Sequence, residues 1–163
     1  MNAAPGPTPE NPNLGDSTPA TFRRPHPVRF ADVDAAGIVY YPRLLDYCHV
    51  TFEEFFEGAG DRSYSSWIRE ARIGFPTVHL EVDFHRMVEY GRPLWMTAAI
   101  ARIGDRSVVF RFTGELEDGT VAFEAEITKV CAGMDTGRPE PIPAELRTLF
   151  GAYLIPASEG DDS

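Results

Sequence analysis

A broad apolar stripe runs through Leu44, Cys48, Phe52 and Phe55, with Leu45 and Phe56 beside it. Apolar residues recurring three and four apart predict an α-helix, and a face this wide belongs in a core. Such a helix needs a second apolar layer to lie on, and the rest of the chain has to supply it. Asp46, Glu53, Glu54 and Glu57 fall mostly off the stripe, and Gly58 and Gly60 are its stop signals. Pro42 stands where the helix begins: its φ is already helical, and its missing N–H would have had no intrahelical partner. Tyr41 before it is biased towards extended backbone and has no short acceptor with which to cap the helix. The first-turn N–H groups are therefore expected to stay free, and a free helix N-terminus attracts anions and developing negative charge.

The second layer reads as strands. Val78, Leu80, Val82 and Phe84 alternate with His79, Glu81 and Asp83, which predicts a strand with one wet face. Tyr90-Gly91-Arg92-Pro93 is turn chemistry. Leu94 to Ile103 and Ser107 to Leu116 read as a hairpin about Gly104-Asp105, and Asp118-Gly119 is the strongest hairpin signal in the chain. Val121 to Ala132 follows, with Val121, Phe123, Ala125, Ile127 and Cys131 in phase. Pro27 to Phe30 is expected to form a short first strand. Asp61 to Gly74 reads as irregular or weakly helical. Ala144 to Leu154 reads as a short amphipathic helix behind Pro141 and Pro143. The pattern is α+β, a five-stranded antiparallel sheet curled round one long helix with a short C-terminal helix, and its edges invite pairing with a second copy.

Residues 1–21 are rich in Pro, Asn, Gly and Thr and predict a disordered tail; 22–156 is the domain, and 157–163 an acidic tail. The formal net charge of −10 argues against nucleic-acid binding. Lys129 is the only lysine, so nearly every cation is arginine. Cys48 and Cys131 have no paired spacing, which predicts two reduced thiols in a cytoplasmic protein. No run approaches transmembrane length, and the start of the chain lacks the pattern of a signal peptide.

The polar turn before the helix carries the chemistry. It reads Asp32-Val33-Asp34-Ala35-Ala36-Gly37-Ile38-Val39-Tyr40-Tyr41-Pro42 and sets a carboxylate pair beside the helix end. Gly37 supplies positive φ at little cost. The plain structural reading is a core helix with a polar turn in front. An Asp-x-Asp pair also resembles part of an oxygen-ligand cation site, with His49 or Glu53 as further ligands. No second cluster accompanies it, and no metal is expected.

That stretch and the aromatic, acidic helix after it resemble the 4-hydroxybenzoyl-CoA thioesterase family of the hotdog fold. A weaker likeness runs from about Pro25 to Pro156, through the strand order and Gly74-Phe75-Pro76. The resemblance implies a sheet wrapped round a long helix, and dimers or dimers of dimers with sites between subunits. It implies hydrolysis of a CoA thioester without metal or redox cofactor. Asp34 takes the place of the catalytic carboxylate, and the backbone N–H of Tyr41 that of the donor to the thioester carbonyl. Thioester hydrolysis needs a nucleophile or an activated water, and donors at the developing oxyanion, so these residue types suit it. Asp32 reads instead as a turn-stabilising Asx residue.

His49 stands where the 4-hydroxybenzoyl branch has an aspartate that meets the ring hydroxyl, which makes another aryl or acyl group the expectation. Arg106 and Ser107 match the basic residue and serine that meet the CoA phosphates, whereas two further basic positions have become Gly104 and Asp105. Arg86, Arg92 and Arg102 are candidates to replace them. A hotdog dehydratase or hydratase would need a histidine placed to move a proton at carbon. A non-catalytic acyl-CoA-binding module would not need Asp34.

Overall fold

A computed structural model of the protein describes residues 19–157. β1 (Phe22–His26) leads through one 3-10 turn (Phe30–Asp32) into α1 (Tyr41–Ala59). Then come α2 (Tyr64–Arg69), β2 (Ile73–Gly74), β3 (Thr77–Phe84) and β4 (Leu94–Ile103). β5 (Ser107–Glu115), β6 (Val121–Val130), β7 (Ala132–Gly133) and α3 (Ala144–Ala152) complete the order. The main sheet is five-stranded and antiparallel, in the order β1-β4-β5-β6-β3. β2 and β7 form a small separate pair that the sequence reading did not anticipate.

The expected stripe buries Leu44, Cys48, Phe52, Phe55 and Phe56, together with Tyr47 and Thr51. The Thr51 hydroxyl donates to the Tyr47 carbonyl at 2.7 Å, so its burial leaves no polar group unpaired. Phe52 and Phe55 meet Phe110 of β5 at 5.2 and 5.5 Å, edge to face. α3 closes the far side, where Phe150 meets Phe56 at 6.1 Å and Phe75 at 5.9 Å. Gly58 is not a stop signal: it lies inside α1, and a Cβ there would come within 2.7 Å of the Phe22 ring. The helix ends at Gly60, as expected.

Three expectations change. The first strand is Phe22–His26 rather than Pro27 to Phe30, and Phe30 is 76 % exposed. Only Phe22 of that strand is buried, so its polar residues hid it. Arg23 lies over the Trp95 ring at 4.3 Å and pairs with Glu115 at 3.0 Å, and Pro25 is tolerated because β1 is an edge. α1 starts one residue early: Tyr40 is the extended N-cap residue (φ −63°, ψ 123°), and Tyr41 is already helical. β3 is wet on both faces rather than one. It is the other edge strand, with Val78 59 %, Leu80 45 % and Phe84 52 % exposed.

Most of the expected N-terminal tail, and all but Ala157 of the acidic one, lie outside the described residues. Of the former, Ala20 is tied down, its N–H donating to the Ala152 carbonyl at 3.0 Å.

Candidate active site

Phe30 to Pro42 folds into a small closed turn. Val33 bridges Val39, the Asp34 N–H reaches the Ile38 carbonyl at 2.9 Å, and the Gly37 N–H reaches the Asp34 carbonyl at 3.0 Å. Gly37 has φ +78°, the left-handed geometry expected of it. The Val39 N–H donates to the Val88 carbonyl at 2.8 Å, and the Tyr40 N–H to the Asp32 carbonyl at 2.9 Å. Asp34 and Tyr41 thus end up on the two arms of one stapled turn.

The two aspartates divide their work differently from the sequence reading. Asp34 makes the Asx turn expected of Asp32: its Oδ1 accepts the Ala36 N–H at 2.8 Å. Its Oδ2 has no partner among the described residues, and the residue is exposed. Asp32 is drawn inward instead. Its Oδ2 accepts the Tyr47 hydroxyl at 2.8 Å and the Arg29 N–H at 2.9 Å, and Arg43 Nε lies 3.9 Å from Oδ1. Burial opposes its ionisation, but the Arg29 N–H, the Tyr47 hydroxyl and the Arg43 charge together hold its carboxyl below the ordinary value. Burial and this bond push the Tyr47 phenol up in turn. Asp32 thereby joins the turn to the second turn of α1.

Tyr47→Phe should remove the hydroxyl bond to a nearly buried carboxylate and cost about 1–3 kcal/mol in urea unfolding. The loss should shrink at low pH. A lowered carboxyl contributes its stability above its ordinary value of 3.8 and loses it as pH falls through the lowered one. A cost that stays constant from pH 7 to pH 2 would exclude the charged bond as its source.

The helix end has the open donor that the sequence predicted. Tyr40 offers no side-chain cap, Pro42 has no N–H, and the Tyr41 N–H meets no acceptor among the described residues. The Arg43 N–H turns back to the Tyr40 carbonyl at 2.8 Å. A carbonyl oxygen placed at Tyr41 would meet this N–H and the positive end of a 19-residue helix. The Tyr41 ring is 58 % exposed and lies 6.4 Å from Phe84 of β3.

The remaining predicted residues sit elsewhere. His49 is two turns along α1, its Nε2 3.2 Å from Glu53 and its ring over Phe52 at 6.1 Å. Arg106 ends the β4–β5 turn and Ser107 opens β5. That turn is anchored by the Cys131 N–H on the Arg106 carbonyl (2.7 Å) and the Gly104 N–H on the Ser107 carbonyl (2.7 Å). The Arg106 side chain is exposed and touches only Asp105, at 3.4 Å, among the described residues. This turn is at the opposite end of the sheet from Asp34. Ser107 pairs with Val130, whereas Gly114 lies level with Phe123 and Phe84. The two levels are roughly 23 Å apart at about 3.3 Å per strand residue. One chain does not bring the expected phosphate contacts to the expected carboxylate. The described residues contain no group of three or more His, Cys, Asp or Glu able to hold a metal ion.

Sequence reasoning missed Tyr47 and Lys129 as residues of interest. Tyr47 lies in the buried stripe and was not counted with it. Lys129 occupies an inward phase of β6, two residues after Ile127, and that alternation was the available signal.

A five-stranded sheet wrapped on one helix, with an acidic turn and a bare helix N-terminus at its rim, is a hotdog-type thioesterase arrangement. The chain belongs to the thioesterase-like superfamily, whose family model matches residues 28–150. It is 32 % identical over 120 residues to a 1,4-dihydroxy-2-naphthoyl-CoA hydrolase of Nostoc punctiforme, covering 73 % of this chain and 79 % of that one. Among solved structures it resembles a 1,4-dihydroxy-2-naphthoyl-CoA thioesterase from Synechocystis, with a TM-score of 0.74 and 23 % identity over 81 % and 96 % of the two chains. A mutant 4-hydroxybenzoyl CoA thioesterase complexed with 4-hydroxybenzoyl CoA superposes with a TM-score of 0.71 at 23 % identity, covering 79 % and 97 %. At these identities the structural likeness fixes the fold.

Proposed function

We propose that the protein is an acyl-CoA thioesterase that hydrolyses an arylacyl-CoA to the free acid and CoA at the Asp34–Tyr41 turn. CoA thioester hydrolysis is the reaction named for its curated relatives. The observation that carries the site assignment is the unpartnered Tyr41 N–H on the same turn as the free oxygen of Asp34. The thioester carbonyl oxygen accepts from Tyr41, and Asp34 attacks the carbonyl carbon or takes a proton from an attacking water. Negative charge builds on the carbonyl oxygen, where the helix end stabilises it. The C–S bond then breaks, and CoA leaves as the thiolate. The Asp34 route passes through a mixed anhydride that water opens; the water route gives the acid directly.

The enzyme works as a homodimer in this reading, alone or within a tetramer. β3 is an unpaired edge among the described residues with three exposed apolar residues, Val78, Leu80 and Phe84, the last of them beside Tyr41. Antiparallel pairing of β3 with the β3 of a second copy would carry the second copy's Arg106-Ser107 turn to the end of the sheet that bears Asp34. The 3′,5′-ADP end of CoA would then lie across the interface. Two buried free thiols, Cys48 and Cys131, favour the cytoplasm. No helix among the described residues is long and apolar enough to cross a membrane.

Free-thiol release from a panel of aryl and aliphatic CoA esters tests the reading. Turnover is expected on aryl esters. Binding of the same esters without thiol release would make the protein an acyl-CoA-binding module instead.

A further inference from the structure

The chain's one lysine is inside it. Lys129 is 4 % exposed, turned inward from β6 in phase with Phe123, Ala125 and Ile127. Its Nζ donates to the Thr77 hydroxyl at 3.1 Å and to the Phe75 carbonyl at 3.5 Å, and lies 4.1 Å from the centre of the Phe52 ring. All three neighbours are neutral. Among the described residues no carboxylate comes within 4.0 Å of the ammonium, and Glu53 is engaged with His49. Burial draws the ammonium down to about 8, only partly offset by the Cys48 thiol and by the Glu53 carboxylate acting from beyond contact distance. A buried cation is costly unless an anion meets it.

The same side chain lines a cavity of about 170 Å³, walled by Leu45, Cys48 and His49 of α1 and by Thr77 and Leu80 of β3. An apolar cavity of about 150 Å³ is enough to hold a benzene ring. Leu45 and His49 follow Tyr41 at four-residue steps along one helix face. The cavity therefore starts about 6 Å and ends about 12 Å along the axis from the Tyr41 N–H. An acyl group whose carbonyl sits at Tyr41 has this cavity in front of it.

Resting on the thioesterase reading above, we propose that Lys129 sets acyl specificity. It selects arylacyl groups that carry an anionic oxygen, a carboxylate or an acidic phenol, at the end remote from the thioester. Such an oxygen supplies the contacting anion that Lys129 lacks among the described residues, Glu53 acting on it only from beyond 4.0 Å. An unsubstituted ring would close the cavity over the cation and leave it unmatched, and sites built around a buried polar group reject ligands that fail to pair with it.

The test compares benzoyl-CoA, 4-hydroxybenzoyl-CoA and 4-carboxybenzoyl-CoA on the full-length protein and on Lys129→Met, which keeps most of the apolar stem and drops the charge. The wild type should favour at least one oxygen-bearing ester over benzoyl-CoA by about tenfold or more in kcat/KM. Which of the two is favoured identifies the anion. In Lys129→Met that ratio should fall to near one, while the urea midpoint holds or rises because a buried unpaired cation is gone. A wild-type ratio near one, or the same ratio in both proteins, overturns the proposal. Calorimetric binding of the three esters reads the same preference without turnover. Absence of thiol release from every ester would therefore sink the thioesterase reading and still leave Lys129 decided.

Discussion

Asp34→Asn is expected to fold normally and to lose roughly a thousandfold or more in turnover, as removal of a principal catalytic group commonly does. Asparagine keeps the side-chain oxygen that accepts the Ala36 N–H, so the Asx turn survives. What disappears is the negative charge on the outward oxygen, which in the proposed reaction either attacks the carbonyl or deprotonates water. Binding of the CoA ester should hold or tighten slightly, since a like charge near an anionic ligand is gone. Asp32→Asn makes the opposite contrast. Its carboxylate serves Tyr47, the Arg29 N–H and Arg43, so the change should cost more in unfolding free energy and less in kcat. Steady-state kinetics and urea unfolding on both variants decide the matter. If Asp34→Asn keeps most of its activity while a folded Asp32→Asn is dead, the two roles are exchanged.

Val78→Asp is expected to convert the protein to a monomer and to lower kcat/KM by about a hundredfold. Val78 is 59 % exposed on the free edge and sits at the irregularity where β3 changes register against β6. A charge there has little to disturb within one chain, but would be buried in a paired edge. Light scattering at micromolar concentration reads the mass, and circular dichroism confirms the fold. The inference that sites are shared has its own test. Asp34→Asn and Arg106→Glu, each impaired alone, should restore activity when unfolded and refolded together. If the two residues serve one site from different copies, each mixed dimer keeps one intact site of its two. No recovery on mixing, or a fully active Val78→Asp monomer, would place the whole site within one chain.

Much of the fold was legible because its signals are local. β4 runs from Leu94 to Ile103 as the alternation predicted, and Asp118-Gly119 closes the next hairpin with Gly119 at φ +83°. Illegible parts were those whose burial is set by a distant neighbour. Phe22 is a strand residue because it packs on Phe55 and Gly58, far along the chain, while its polar neighbours give no apolar period. β3 has a clear alternation, but its place at the edge, beyond the cover of α1, is a matter of strand order.

The site divides along the same line. Sequence alone determined that a carboxylate turn with a glycine hinge leads into an uncapped, proline-started helix, because each of those preferences acts within a few residues. Tertiary structure decided which aspartate is free and which is spent. Tyr47 lies fifteen residues from Asp32, and only the packed helix brings its hydroxyl to that carboxylate. Tertiary structure also decided that Lys129 faces Phe52 and Thr77 with no acid in contact among the described residues, and that Arg106 lies at the far end of the sheet from Asp34. Those relations are distances between separate elements, set by how the sheet closes on the helix.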